Sequence, residues 1–146
     1  MSQYTSVFLR KNNEFIEISC TSRGNMMSRI FDNFAPWEKI QKMSADLLRE
    51  ILYDYREEER HSEQYIESMQ EEKKLIATFN NSTADKLNAI ADCDNCINEC
   101  KENQDELRAA LARLEWLVEI AEDQSNGVDV YVGVEVSANV TENDIV

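Results

Sequence analysis

Apolar side chains recur with a helical period over two long stretches, from about residue 37 to 79 and from about 83 to 123. In the second stretch they recur every seven residues at two alternating positions, the a/d seam of a coiled coil. One series is Ile90, Ile97, Gln104, Leu111 and Val118; the other is Cys93, Cys100, Leu107, Leu114 and Ala121. The first stretch is less regular, with seam candidates Leu48, Ile51, Tyr55, Ser62, Tyr65, Met69, Ile76 and Phe79. Both stretches are predicted to be long helices.

The connection between the two predicted helices is only three residues long, from Asn80 to Ser82. A link this short forces the helices to run antiparallel. Ser82 is predicted to cap the second helix, because its hydroxyl can accept from free backbone N–H groups and Asp85 suits a helix N-terminus. Residues whose numbers sum to roughly 163 should face each other. This register places the polar segments 56–64 and 99–107 side by side, as one polar band.

Both ends of the chain carry the patterns of β-strands. Residues 4–10 and 15–20 are rich in β-forming side chains and flank a short polar turn, which predicts a β-hairpin. Valines at every second position from Val128 to Val136 predict a C-terminal strand with one buried face. Since a lone hairpin is marginal in water, this strand is expected to join the N-terminal pair.

Together these elements predict an α+β fold that is mainly α. Its largest part is a long antiparallel, coiled-coil-like helical hairpin, and a small antiparallel sheet combines the N-terminal β-hairpin with the C-terminal strand. Residues 1–36 would form the β-hairpin and a short helix, residues 37–123 the helical hairpin, and residues 124–146 the docking strand and tail. The short helix is expected at about 25–34, with Pro36 in the first turn of the long helix.

The chain is strongly acidic, with 29 acidic and 15 basic residues and a net charge of −14. Direct binding to DNA, RNA or acidic membranes is therefore disfavoured, because phosphate contacts require clustered lysine and arginine. The charge is consistent with a solvated helix face that keeps the protein soluble. This interpretation is favoured over the alternative of an acidic rod that occupies a basic nucleic-acid groove on another protein.

The chain has neither a membrane-spanning stretch nor the features of a signal peptide at its N-terminus. We therefore expect a cytoplasmic protein with reduced thiols. A single histidine and three glycines leave no obvious nucleophile–base network or phosphate-binding loop, so the protein is predicted not to be an enzyme.

The polar band supplies most of the candidate partner-binding residues. These are Glu57, Glu58, Glu59, Glu63, Glu99, Glu102, Asp105 and Glu106. Arg56 and Arg60 could pair with carboxylates across the hairpin, and the band could also act as a hinge or as a gap for a partner. Trp116 is a further candidate, because it lies off the seam and is covered either by the protein's own sheet or by a second copy in a dimer.

Three cysteines, Cys93, Cys96 and Cys100, fall on one face of the second helix. Structural zinc usually takes four ligands from loops and separate elements, and a thiol on a seam acts as a small apolar group. A core role is therefore favoured over a metal or redox role. Glu58 and His61 have the i, i+3 spacing of di-iron bundles, but those sites need two such pairs and His61 is the sole histidine. No cofactor is expected.

The N-terminal segment resembles the openings of small uncharacterised proteins from phages of Gram-positive bacteria. The residues that carry this resemblance are Tyr4-Thr5-Ser6-Val7-Phe8-Leu9-Arg10-Lys11 and Phe15-Ile16-Glu17-Ile18. The resemblance implies a phage or prophage origin and a role in blocking a host enzyme, including nucleic-acid-guided defence nucleases.

Three functions are consistent with these patterns. The first is an acidic inhibitor that binds a host nucleic-acid-handling or defence protein in the host cytoplasm. The second is a self-assembling, oligomeric coiled-coil scaffold. The third is a thiol or metal sensor.

Overall fold

The computed structural model describes residues 3–22, 24–80 and 83–146. The elements within them are β1 Tyr4–Lys11, β2 Glu14–Ser22, α1 Met26–Phe31, β3 Gln41–Met43, α2 Ala45–Ala77, α3 Thr83–Glu122 and β4 Asp129–Val134. The predicted α+β class is confirmed, with two long helices and a small antiparallel sheet. The chain divides into two compact units, which we call the sheet unit (Met1–Tyr53 and Ala110–Val146) and the helical unit (Asp54–Ala109).

The sheet has the strand order β2-β1-β4-β3 and every neighbouring pair is antiparallel. The predicted N-terminal hairpin is present, and its turn places Asn12 and Asn13 at φ angles of 53° and 67°. Asparagine tolerates this left-handed region better than most residues, which explains a turn without glycine. The predicted docking of the C-terminal strand is also confirmed, because β4 pairs with β1 from Thr5↔Val134 to Arg10↔Asp129.

The first long helix begins at Ala45, later than the predicted start near Trp37. Residues 41–43 instead form the edge strand β3, which pairs with β4. Pro36 is therefore not in the first turn of a helix: its carbonyl accepts a hydrogen bond from the Val134 amide at 2.8 Å. Ser44 then starts α2, since its Oγ accepts from the Leu47 amide at 3.1 Å.

Strand β4 is buried on both faces, whereas the valine alternation predicted one buried face. Val130 and Val132 are fully buried on the predicted side. On the other side Tyr131 is 4% exposed and packs with Phe8, Ile40 and Val140. The second face is covered because the C-terminal tail folds back over it, which the pattern within the strand alone cannot reveal.

The helical unit contains the predicted seam within a single chain. Along α3, Cys93, Ile97, Gln104 and Leu107 are buried and Ile90 and Cys100 are half-buried, as the heptad pattern predicts. Along α2 the buried and half-buried side chains of the seam recur at alternating intervals of four and three residues. They are Tyr55, Glu59, Ser62, Ile66, Met69, Lys73 and Ile76.

The predicted seam of α2 is wrong at two positions, Tyr65 and Phe79. Phe79 is 45% exposed and lies beyond the end of the helix at Ala77. The register of the hairpin is confirmed at other positions. Ile66 is buried at 8% exposure, whereas Tyr65, the predicted seam residue, is 46% exposed. Across the hairpin, Ser62 Oγ lies 3.3 Å from Cys100 Sγ. Lys73 Nζ likewise lies 2.6 Å from Asp94 Oδ1, close to the expected register.

The two long helices end close to their predicted limits. α2 ends at Ala77 and α3 at Glu122. The predicted cap at Ser82 lies outside the described residues. Within the described ranges, no helix combines the length and the apolar composition that a membrane crossing requires.

Candidate partner-binding face

The candidate carboxylates on α2 are largely engaged in ion pairs within the helical unit. Glu57 Oε2 accepts from Arg60 Nη2 at 2.6 Å, and this guanidinium holds the pKa of the Glu57 carboxyl below its usual range. Arg108 on α3 reaches across the hairpin to Glu59 at 3.4 Å and to Glu63 at 2.9 Å. These three carboxylates therefore have part of their charge neutralised by the protein itself.

Arg108 is thus a cation that crosses the band, although the heptad pattern did not single it out. Arg60, predicted to cross, pairs with Glu57 on its own helix. The register places Arg108 within one or two helical turns of both of its partners, and the long side chain of arginine covers that distance. Arg108 is predictable from the sequence if basic residues within two helical turns of the position opposite each carboxylate are considered, and not only the opposite residue itself.

The candidate carboxylates on α3 have a different environment. Glu99, Glu102, Asp105 and Glu106 are all exposed, and none of them forms an ion pair with any residue that the structure describes. Glu99, Glu102 and Glu106 follow i, i+3, i+7 spacing, so they share one face of the helix. Asp105 follows Glu102 at i+3 and extends the same acidic surface. We call these four residues the α3 acidic face.

The α3 acidic face destabilises the helix that carries it. Like charges at i, i+3 or i, i+4 repel by about 0.2–0.5 kcal/mol per pair at low salt. Glu102 is in such a relation to Glu99, to Asp105 and to Glu106.

A polar layer interrupts the seam at the height of the band. Gln104 is 6% exposed, and its Nε2 has no hydrogen-bond partner among the described residues. Nearby, Ser62 Oγ contacts Cys100 Sγ, and Glu59 occupies an inward position of α2. A buried amide without a partner costs about 1–3 kcal/mol of stability, while polar seam residues restrict the register and the number of helices that can pair.

Replacing Gln104 with leucine is expected to raise the free energy of unfolding by about 1–2 kcal/mol, because the unpaired amide is exchanged for an apolar side chain of similar size. Urea denaturation followed by circular dichroism measures the change. Asn103→Leu, one residue away and exposed, is the matched control and should alter stability by less than about 0.5 kcal/mol. A Gln104→Leu protein no more stable than its Asn103→Leu control would show that the buried amide has a partner in solution.

The cysteines of α3 are packed into the hairpin. Cys93 is 5% exposed, and burial raises the pKa of its thiol. The Cys96 thiol contacts the Tyr65 hydroxyl and raises the pKa of that tyrosine. All four cysteines are free thiols, and the fourth, Cys20, is exposed on β2. Within the described residues, no group of three or more histidine, cysteine, aspartate or glutamate side chains is arranged to hold a metal ion.

Trp116 belongs to the sheet unit and is partly exposed. It keeps 41% of its surface accessible, and the Arg113 guanidinium carbon lies 5.6 Å from the centre of its ring. Its neighbour Leu117 is fully buried, so α3 directs Leu117 rather than Trp116 into the interior. A dimer contact through Trp116 stays a prediction.

Comparison of the chain with protein-family models, with curated proteins and with solved structures finds no significant match. The resemblance of the N-terminal segment to phage proteins therefore stays a prediction. The function has to be inferred from the residues of this chain.

Proposed function

We propose that this protein is a non-catalytic binding protein whose α3 acidic face contacts a basic surface of another protein. One observation carries the proposal: Glu99, Glu102, Asp105 and Glu106 are exposed without an ionic partner in the described part of the chain, whereas three facing carboxylates on α2 are paired. Unpaired charges of one sign steer and orient association with a surface of opposite sign.

The helical unit presents this face in a fixed geometry. The residues of α3 that alternate with the acidic positions, among them Cys93, Ile97 and Leu107, are buried in the seam, which fixes the rotation of the helix. A face that is ordered before binding loses less conformational entropy when it binds. The carboxylates of Glu99, Glu102 and Glu106 extend over about 10 Å along the helix axis.

The target that this chemistry fits best is a nucleic-acid-binding groove, because such grooves cluster lysine and arginine to contact phosphates. Occupying the groove would inhibit the enzyme that contains it. If the phage resemblance of the N-terminal segment holds, the target is a host nucleic-acid-handling or defence protein.

Neutralising the α3 acidic face is expected to abolish capture of the target. The variant combines Glu99→Gln, Glu102→Gln, Asp105→Asn and Glu106→Gln. Each lost charge pair contributes about 0.5–1 kcal/mol, so together they weaken binding on the order of 100-fold. Tagged wild type and variant are compared in pull-downs from a nuclease-treated Gram-positive lysate, and the captured protein is then titrated at increasing salt.

The matched control removes the same number of exposed charges elsewhere on the helices, through Glu50→Gln, Asp54→Asn, Glu67→Gln and Asp92→Asn. The proposal requires that wild type and the control variant both capture one basic, nucleic-acid-handling protein. The α3 variant should not capture this protein. It also requires binding that weakens steeply with salt. Recovery of the bait alone, or equal capture by the α3 variant, would contradict it.

A further inference from the structure

We infer that a groove in the helical unit, between the end of α2 and the first half of α3, binds an aliphatic carboxylate. The groove has a volume of about 440 Å³. This lies within the range of small-molecule sites, about 300–1,000 Å³. The groove favours an anionic ligand, whereas the α3 acidic face favours a basic surface. The inference is independent of the proposed function.

The lining of the groove is partly apolar, alongside the polar side chains of Gln70, Asp94 and Asn98. Ala77 and Ile90 line it, together with Ile97, which is almost fully buried in the seam. Lys73, Lys74 and Lys101 also line it. Lysine side chains can lay their methylene stems along apolar surface while the ammonium groups remain in water. The groove therefore combines an apolar strip with polar side chains and lysine ammonium groups.

Two of the three ammonium groups are available to an incoming anion. Lys73 Nζ is held by Asp94 Oδ1 at 2.6 Å, so this lysine is already neutralised. Lys74 lies 3.8 Å from Glu71, and both side chains are more than three-quarters exposed, so this pair is weak. Lys101 forms no ion pair with the described residues. Lys74 and Lys101 would thus contact the carboxylate.

The composition of the groove selects among anions. Because Lys73 and Asp94 neutralise each other, Lys74 and Lys101 are the lining lysines left to balance the charge of a ligand, which favours a single carboxylate over a phosphate chain. Among the described residues that line the groove none is aromatic, so an aliphatic body suits the isoleucine side chains and lysine stems better than a stacked ring.

A titration of ¹⁵N-labelled full-length protein with sodium octanoate, below its micelle concentration, tests the inference. Saturable chemical-shift changes are expected at the amides of Ala77, Ile90, Ile97 and Lys101, with millimolar affinity. The double variant Lys74→Gln/Lys101→Gln should weaken binding about fivefold, as expected for two exposed ion pairs. The control Lys11→Gln/Lys42→Gln, with two exposed lysines of the sheet unit, should leave it unchanged.

Octylammonium, with the same hydrocarbon chain and the opposite charge, should not bind the groove saturably. The inference is overturned if octylammonium binds as well as octanoate, or if the shift changes spread over all exposed apolar residues. It is equally overturned if the Lys74→Gln/Lys101→Gln protein binds like wild type. None of these outcomes bears on the α3 acidic face, whose test uses a protein partner and different residues.

Discussion

Replacing Gly133 with alanine is expected to destabilise the protein by about 3 kcal/mol, at the upper end of the usual range for overpacking. A Cβ at this position would lie 2.3 Å from the backbone oxygen of Lys39 and 2.5 Å from Cγ2 of Val136. The Lys39 backbone cannot easily move away. The neighbouring Ile40 amide donates to the Asp144 carbonyl at 2.8 Å, and the Glu38 amide donates to the Val134 carbonyl at 2.8 Å.

Two other glycines provide matched controls for this prediction. A Cβ at Gly24 meets no atom within 4 Å, so Gly24→Ala should change stability by less than about 0.5 kcal/mol. Gly127 is also surrounded by open space but has a φ of 65°, so Gly127→Ala should cost about 1–2 kcal/mol through backbone strain alone. Urea denaturation of the three glycine variants distinguishes the loss of stability caused by close contact at Gly133 from the loss caused by backbone strain at Gly127. A Gly133→Ala protein as stable as Gly24→Ala would contradict the tight approach of residues 38–40 to β4.

Replacing Leu114 with alanine is expected to destabilise the protein by about 3 kcal/mol. Leu114 is on the α3 seam and fully buried, and deleting a buried leucine side chain loses its transfer free energy and leaves a cavity. Leu87→Ala is the matched control, since Leu87 is on the same helix but 59% exposed, and its loss should cost less than about 1 kcal/mol. The change in the urea midpoint measures both effects. Equal effects at the two positions would mean that the seam does not extend to Leu114.

The stability variants and the binding variants test separate properties of α3. Leu114 and Gln104 point into the seam, and their substitution should change stability without altering the exposed charges. The residues of the α3 acidic face are exposed, so their neutralisation should leave folding intact or stabilise it slightly by removing repulsion between like charges. A loss of partner capture with retained stability would therefore identify a binding role rather than a folding defect.

The heptad pattern by itself did not distinguish the paired carboxylates of the band from the unpaired ones. The heptad pattern and the short connection predicted that residues 56–64 lie near residues 99–107, and the contact of Ser62 with Cys100 confirms it. The pattern treated all eight acidic residues of the band alike. Arg108 distinguishes them, because its side chain reaches Glu59 and Glu63 on α2 and leaves the exposed carboxylates of α3 unpaired.

The groove lined by Lys73, Lys74 and Lys101 was likewise missed, although all three residues are visible in the sequence. Lys101 is separated from the other two by the whole hairpin turn, and only antiparallel pairing brings them together. The adjacent lysines near the end of α2 were the available signal, and the predicted register would have placed Lys101 about three helical turns from them.

The sequence by itself determined the elements whose signals are periodic and local. Heptad spacing determined the seam of α3, and the short connection determined the antiparallel hairpin. Runs of β-forming side chains determined β1 and β2, and alternation determined β4. Each of these follows from the geometry of a single helix or strand, so nearby residues suffice to specify it.

Only the tertiary structure decided the features that depend on a neighbour distant in the chain. Residues 41–43 form a strand because β4 offers them an unpaired edge, although their local pattern continues that of the helix. The second face of β4 is buried because the C-terminal tail covers Tyr131, and Gly133 is required because the Lys39 backbone passes against it. Burial and ion pairing are properties of two surfaces in contact, and the pattern along one segment describes only one of them.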